Sequence, residues 1–204
     1  MSRTEKGMLI VVSAPSGCGK GTILAEVLKD DNYYYSVSAT TRAPREGEQD
    51  GVNYHYLTRE NFEELINSGS MLEYAEYCGN YYGTPLTYID KELAAGKDVI
   101  LEIEVKGAMN VRKLRPDAVL VFILPPSVKE LRRRLEKRGT ETAEVIDRRI
   151  AQAADEIKSA DKYDYIMVNG PLDKAVEDFK TIVAAAKMSC ERNKYLIDEV
   201  LENA

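Results

Sequence analysis

The ten residues Ser13-Ala-Pro-Ser-Gly-Cys-Gly-Lys-Gly-Thr22 gather three glycines, one lysine and several hydroxyl side chains into one short stretch. A glycine-rich loop of this kind lets backbone N–H groups converge on phosphate oxygens, because glycine tolerates the dihedrals required and permits close approach. A helix starting at the end of such a loop adds its positive N-terminal end. Lys20 is placed to reach terminal phosphates, where its charge can follow a phosphoryl group in transfer. Against the pattern GxxxxGK[ST] the loop departs twice: Ala14 stands at the first glycine, and Gly21 takes the hydroxyl position, with Thr22 one residue later. Ala14, Pro15, Ser16, Gly17, Cys18, Gly19, Lys20, Gly21 and Thr22 are therefore the candidate contacts to a triphosphate.

Two further groups of charged residues suit the same chemistry. Val99-Ile-Leu-Glu-Ile-Glu104 ends an apolar run with carboxylates at alternate positions, which in a strand puts Glu102 and Glu104 on one side. Acidic residues at such a strand end can hold magnesium through water or touch an acceptor. Lys129 to Arg149 carries eight Lys/Arg against five Asp/Glu in a chain whose net charge is −6. Within it Arg134 and Arg138 stand four apart and share a helix face, with Arg149 on the next helix. Positioned guanidiniums stabilise the charge that spreads over a phosphoryl group in transit. Arg134 and Arg149 are the first choices for that role and Arg138 for clamping the donor. Arg132 and Arg133 read as a solvated helix face balanced by Glu130 and Glu136. The single histidine, His55, lies between Tyr54 and Tyr56 in an alternating stretch and reads as a surface strand residue.

The elements that must position these groups follow from hydrophobic periodicity. Met8 to Val12 is a short apolar strand leading into the glycine loop, and Ile23, Leu24, Val27 and Leu28 recur at helical spacing after it. Strands are expected at 98–104, 118–124 and 163–168, and helices at 108–114, 128–138, 144–159 and from Leu172 onward, broken near 188–193. Alternation of this kind implies a core sheet of five parallel strands, flanked by helices. Between residues 36 and 88 the pattern changes to short alternating pieces with one helix at 59–68. Ten of the thirteen tyrosines fall between Tyr33 and Tyr88. The expected organisation is one α/β domain: core 1–35, 89–128 and 160–204, a small mixed β/α nucleotide-binding subdomain at 36–88, and an arginine-rich lid at 129–159.

Composition bounds the class. Apolar residues make up 44% and charged residues 30% of the 204, the balance of an ordinary globular protein. Apolar runs are strand-length, far below the ~20 residues that span a bilayer. The polar start, Met1 to Gly7, has no secretory pattern, so a cytoplasmic location is expected. Cys18, Cys78 and Cys190 show no CxxC pairing and read as buried or half-buried free thiols rather than a disulfide framework or zinc site. The acidic net charge argues against general nucleic-acid binding.

The loop ending Gly-Lys-Gly-Thr22 resembles those of nucleoside monophosphate kinases. Ser36-Val-Ser-Ala-Thr-Thr-Arg-Ala-Pro-Arg45, Gly51-Val-Asn-Tyr54, Leu72-Glu-Tyr-Ala-Glu76 and Gly79-Asn-Tyr-Tyr-Gly-Thr84 together resemble the guanylate kinase family, and with the loop the resemblance covers nearly the whole chain. It implies a P-loop NTPase-type fold and phosphoryl transfer from MgATP to GMP, giving ADP and GDP, in purine nucleotide metabolism. Arg42, Arg45, Tyr54 and Tyr82 match the family's positions for the GMP phosphate, where arginine's planar fork suits a phosphate. Glu73 matches the base-reading carboxylate, which suits the adjacent N1–H and N2 donors of guanine, and Ser38 and Thr84 match its hydroxyl partners. Glu102 and Glu104 stand where the family often has aspartate, and Lys106 where it often has glutamine. Magnesium is the implied cofactor, held by phosphates and water with Thr22 or Glu102 as candidate contacts. ATP and GMP (or dGMP) are the implied partners, with no nucleic acid, membrane or obligatory protein partner.

No general base is needed, because a phosphate monoester has its second pKa near ~6 and is already mostly a dianion at pH 7. Closure of the 36–88 and lid regions over the nucleotides is expected, to keep water from the donor. Three rivals stand beside this reading. Another nucleoside monophosphate kinase would lack the Arg42/Arg45, Glu73 and Thr84 set. A non-catalytic guanylate-kinase-like protein-binding module would not require Lys20 and the lid arginines. A P-loop nucleotide switch would leave the acceptor residues unexplained.

Overall fold

β1 (Leu9–Ser13) is buried at every position, as an apolar run inside a parallel sheet must be. The computed structural model describes residues 6–77, 79–138 and 142–202. After β1 come α1 (Lys20–Val27), β2 (Tyr33–Tyr35), β3 (Ala39–Thr40), β4 (His55–Tyr56), α2 (Arg59–Asn67), β5 (Met71–Tyr77), β6 (Asn80–Pro85) and α3 (Leu86–Ala94). β7 (Asp98–Glu102), α4 (Val105–Leu114), β8 (Val119–Leu124), α5 (Val128–Arg138), α6 (Ala143–Lys158), β9 (Tyr165–Val168), α7 (Leu172–Lys187), α8 (Cys190–Asn193) and α9 (Tyr195–Glu202) complete the chain. The five-stranded parallel sheet has the order β2-β7-β1-β8-β9, and a separate four-stranded sheet has the order β4-β3-β6-β5. The chain divides into two compact units, one holding residues up to Ser13 with Asp30–Leu120, the other Ala14–Lys29 with everything from Val121.

In the first unit β7 pairs in parallel with β1, Leu9 beside Val99, and with β2, Tyr33 beside Asp98. Asp98 is buried and its carboxylate accepts the Met8 N–H at 3.0 Å, tying the two strand starts together. β2 is the fifth core strand, which periodicity left without a position: three tyrosines with no apolar run carry no strand signal of their own. The four-stranded sheet, also in this unit, is antiparallel at β5/β6 and β3/β6 and parallel at β3/β4. α2 lays its one buried residue, Phe62, against Ala39 and Met71, and starts where Thr58 Oγ1 accepts the Asn61 N–H at 3.2 Å. In the second unit α7 turns Ala175, Phe179, Val183 and Ala186 inward at helical spacing and packs on α1.

Three expectations need correction. β7 stops at Glu102, and Glu104 is the exposed residue just before α4, with no side-chain cap bond to it; α4 begins at Val105 rather than at Ala108. Glu102 and Glu104 therefore do not share a strand face, because the chain turns between them, with Ser13 Oγ donating to the Ile103 carbonyl at 2.7 Å. His55 is half-buried in β4, stacked on Tyr88 at a centroid distance of 4.0 Å, and burial pushes its pKa down. Cys18 is buried but Cys190 is exposed; Cys78 lies outside the described residues.

Candidate active site

The glycine loop is shaped by backbone that only glycine adopts easily. Gly17 and Gly19 have φ of 86° and 92°, and Gly19 is the residue immediately before α1. A Cβ on Gly17 would lie 2.7 Å from the Leu135 side chain, and one on Gly19 2.6 Å from Asn169 Nδ2. Neither position has room for a side chain, whereas an added Cβ at Gly21 meets nothing within 4 Å. The Cys18 N–H donates to the Pro15 carbonyl at 3.0 Å and the Thr22 N–H to the Gly19 carbonyl at 3.1 Å. α1 has no acidic residue in its first turn, so its N-terminal end keeps its positive character for an anion.

Arginines converge on this loop within the same unit. Arg134 Nη1 donates to the Cys18 carbonyl at 2.9 Å, Nη2 to the Asn169 carbonyl at 3.2 Å, and Nε to Glu130 at 3.0 Å. Arg149 Nη2 donates to Ser16 Oγ at 2.8 Å, from the next helix. Glu130 also receives both forks of Arg133, at 2.7 and 2.8 Å. Those bonds from Arg133 and then Arg134 hold its carboxyl down at about 2. A cavity of about 520 Å³ is lined by Gly17, Gly19, Thr22, Arg133, Arg134, Lys137, Asn169 and Leu172. Arg133 lines the cavity but is mostly exposed and paired with Glu130, as a solvated helix face would be. Arg132 fits that expectation, bonding Asp147 at 2.6 Å. Arg138 ends α5, and its side chain lies outside the described residues. Burial pushes the Cys18 thiol up to about 11, against the opposing charges of Arg134 and Lys20, so it is a neutral packing group whose S–H points to the Ile123 carbonyl.

A second constellation sits on the four-stranded sheet. Glu73 of β5 is directly opposite Thr84 of β6, and opposed residues share a face. Thr84 Oγ1, buried, donates to Glu73 Oε1 at 2.7 Å; among the described residues Oε2 has no partner. Burial raises the Glu73 pKa and the Thr84 bond works against that rise. Tyr82, two residues before Thr84, shares its face, and its ring meets Tyr54 edge-on at 5.9 Å. The Arg42 guanidinium lies 5.7 Å from the Tyr54 ring centre and 5.9 Å from that of Tyr56. Arg42 Nη2 donates to both Glu48 oxygens, at 3.0 and 2.9 Å, and Nη1 to the Ala43 carbonyl at 2.7 Å. The Arg45 N–H and the Tyr56 hydroxyl also donate to Glu48, at 2.7 and 2.8 Å. That backbone bond, with those of Tyr56 and Arg42, holds the Glu48 carboxyl down at about 2. The Arg45 side chain is exposed, and Ser38 is half-buried just before β3.

Glu102 stands at the end of β7 and accepts the Tyr35 hydroxyl at 3.2 Å. The Tyr35 pKa rises, first through burial and then through the Glu102 charge. Among the described residues no group of three or more His, Cys, Asp or Glu is arranged to hold a metal.

A family model described as guanylate kinase matches residues 6–186. The chain is 51% identical over 201 residues to a guanylate kinase of Listeria innocua, spanning 98% of both chains. It belongs to the guanylate kinase family. It is also 53% identical over 189 residues to a guanylate kinase of Halalkalibacterium halodurans, spanning 92% of this chain and 93% of that one. A crystal structure of guanylate kinase from Anaplasma phagocytophilum superposes with a TM-score of 0.69 at 34% identity, over 92% of this chain and 90% of that one.

For a guanylate kinase family member, two residues in these constellations carried no separate sequence signal. Glu48 sits in the turn Arg45-Glu-Gly-Glu48, where a carboxylate reads as solvated surface; only the arginines three and six residues before it hinted at a partner. Asn169 follows β9 in Asn-Gly-Pro171, a plain turn signal, and its contact with the glycine loop spans 151 residues of sequence.

Proposed function

We propose that this chain transfers the γ-phosphoryl group of ATP to GMP, with the glycine loop and its arginines as donor site and the Glu73 face as acceptor site. The observation that carries the choice of acceptor is the Glu73–Thr84 pair: a half-buried carboxylate with one oxygen anchored and the other without a partner among the described residues. Guanine offers N1–H and an exocyclic amine side by side, which a carboxylate can accept together, whereas adenine presents a lone pair at N1. Ser38 and Thr84 supply the neighbouring hydroxyls, and Arg42, Arg45, Tyr54 and Tyr82 receive the acceptor phosphate. A mismatch at a dedicated polar site of this kind gives discrimination of the order of ~10⁴.

In the reaction an oxygen of the GMP phosphate attacks the γ-phosphorus, that bond forms as the bond to the β–γ bridging oxygen breaks, and ADP leaves. The attacking dianion needs no base. Backbone N–H groups of the loop, that of Cys18 aside because it donates to the Pro15 carbonyl, cradle the donor phosphates, Lys20 follows the moving group, and Arg134 and Arg149 hold the loop and face its charge. Arg138 clamps ATP. Glu102 and Glu104 are assigned to the acceptor side. Magnesium suits a site with few protein carboxylates, because it keeps several waters and binds mainly through phosphates. The Thr22 hydroxyl on the cavity wall fits as its protein contact, with Glu102 the alternative. When bound it would neutralise phosphate charge. We assign the protein to the cytoplasm; among the described residues no helix is long and apolar enough to cross a membrane.

Turnover with GMP and AMP in parallel tests the reading: release of ADP with GMP and not AMP is expected, and equal rates would overturn the role of Glu73.

A further inference from the structure

We infer that Asn169 is a positioning residue of the donor site, which together with Arg134 holds the Cys18 carbonyl and so aims the Gly19 N–H at the bound phosphates. The inference rests on the reading of the glycine loop as the ATP site.

Asn169 is nearly fully buried at the end of β9, where its own N–H donates to the Leu124 carbonyl at 2.8 Å. That bond fixes the backbone, and the side chain then reaches the loop: Nδ2 donates to the Cys18 carbonyl at 2.5 Å. Since that carbonyl can only accept, the amide must present its NH₂ end. Arg134 reinforces the arrangement from α5, bonding the Cys18 carbonyl through Nη1 and the Asn169 carbonyl through Nη2. Asn169 and Arg134 thus hold one loop oxygen between them and are themselves linked.

The consequence lies in the peptide between Cys18 and Gly19. In a trans peptide the C=O and N–H point in opposite directions, and no peptide bond among the described residues is cis. Holding the Cys18 oxygen on Asn169 and Arg134 therefore turns the Gly19 N–H away from those two side chains. That N–H has no acceptor among the described residues. The hold is needed because glycine populates positive and negative φ about equally, so the peptide before Gly19 could flip and present its oxygen to the phosphates instead. Gly19 also has no room for the side chain that would restrict it, since its Cβ would fall against Asn169 Nδ2.

The test measures tripolyphosphate and ATP binding by calorimetry for the unaltered protein, Asn169→Leu, which keeps the volume without a donor, and Asn169→Asp, which sets an acceptor against the carbonyl. Losing one buried hydrogen bond at a charged site is worth about a tenfold change in Kd. Both variants should bind tripolyphosphate and ATP about tenfold more weakly, by the same factor for each, with GMP binding unchanged. Weakening of ATP alone would mean that Asn169 touches the nucleoside, and no weakening that the loop needs no hold; either overturns the inference. Failure of the unaltered protein to bind tripolyphosphate would instead remove the donor-site reading beneath it. Should the variants not fold, ¹⁵N-glycine NMR of the unaltered protein decides: the Gly19 amide proton should move downfield as tripolyphosphate is added, and an unmoved signal overturns the proposal.

Discussion

On the proposed reading Glu73 chooses the acceptor base, and its half-buried environment makes its behaviour pH-dependent. Burial raises its pKa, so between the ordinary carboxylate value and the raised one the folded state holds a proton that the unfolded state has released. Stability therefore falls as pH rises through that window, and Glu73→Gln, which cannot ionise, should remove this loss. GMP binding has the opposite slope, because the base's two donors need the ionised carboxylate. Affinity for GMP should rise with pH through the same window and then level off, measured by calorimetry at a series of pH values; a flat profile would place the base elsewhere. Thr84→Val should raise the Glu73 pKa further and, by leaving a buried acceptor short of its donor, cost about 1–3 kcal/mol in denaturant unfolding. Glu48 acts with the opposite sign: its carboxyl is held low, so its contribution is present above the ordinary carboxylate value and lost as pH falls toward about 2. Because it pins the Arg42 fork, Glu48→Gln should raise KM for GMP about tenfold while leaving kcat nearly unchanged, the signature of lost uniform binding.

The two constellations differ in how their elements hold them, and in how far the sequence shows it. The loop between β1 and α1 was legible because strand, glycines and helix follow one another directly. Gly19→Ala should confirm that geometry matters there: a left-handed backbone and a 2.6 Å approach to Asn169 together should destabilise the fold by about 1–3 kcal/mol and weaken ATP binding. The pairing of Glu73 with Thr84 follows from antiparallel register, which the sequence implied only through the family resemblance. Sequence alone could not show that Arg134 braces the loop through Cys18 and Asn169, because those bonds join residues 116 and 35 positions apart. β2 escaped for a different reason: its three tyrosines form a strand only because β7 offers a parallel partner. The Glu102/Glu104 alternation misled because the apolar–acidic pattern continues two residues past the end of β7, up to the residue that precedes α4.

For the whole molecule, the proposed donor and acceptor sites suit one activity, and family membership extends over nearly the full length of the relatives. The most direct measurement couples ADP release to NADH oxidation, with ATP, magnesium and either GMP or AMP, for the unaltered protein and for Lys20→Ala. In the proposed reaction Lys20 supplies charge to the moving phosphoryl group, so its loss should lower kcat by roughly 10²-fold or more, with little change in melting temperature. Rapid ADP release that depends on GMP, ignores AMP and collapses in Lys20→Ala is the expected result. GMP binding without any ADP release from the unaltered protein would contradict it, leaving a nucleotide-binding module in place of a kinase.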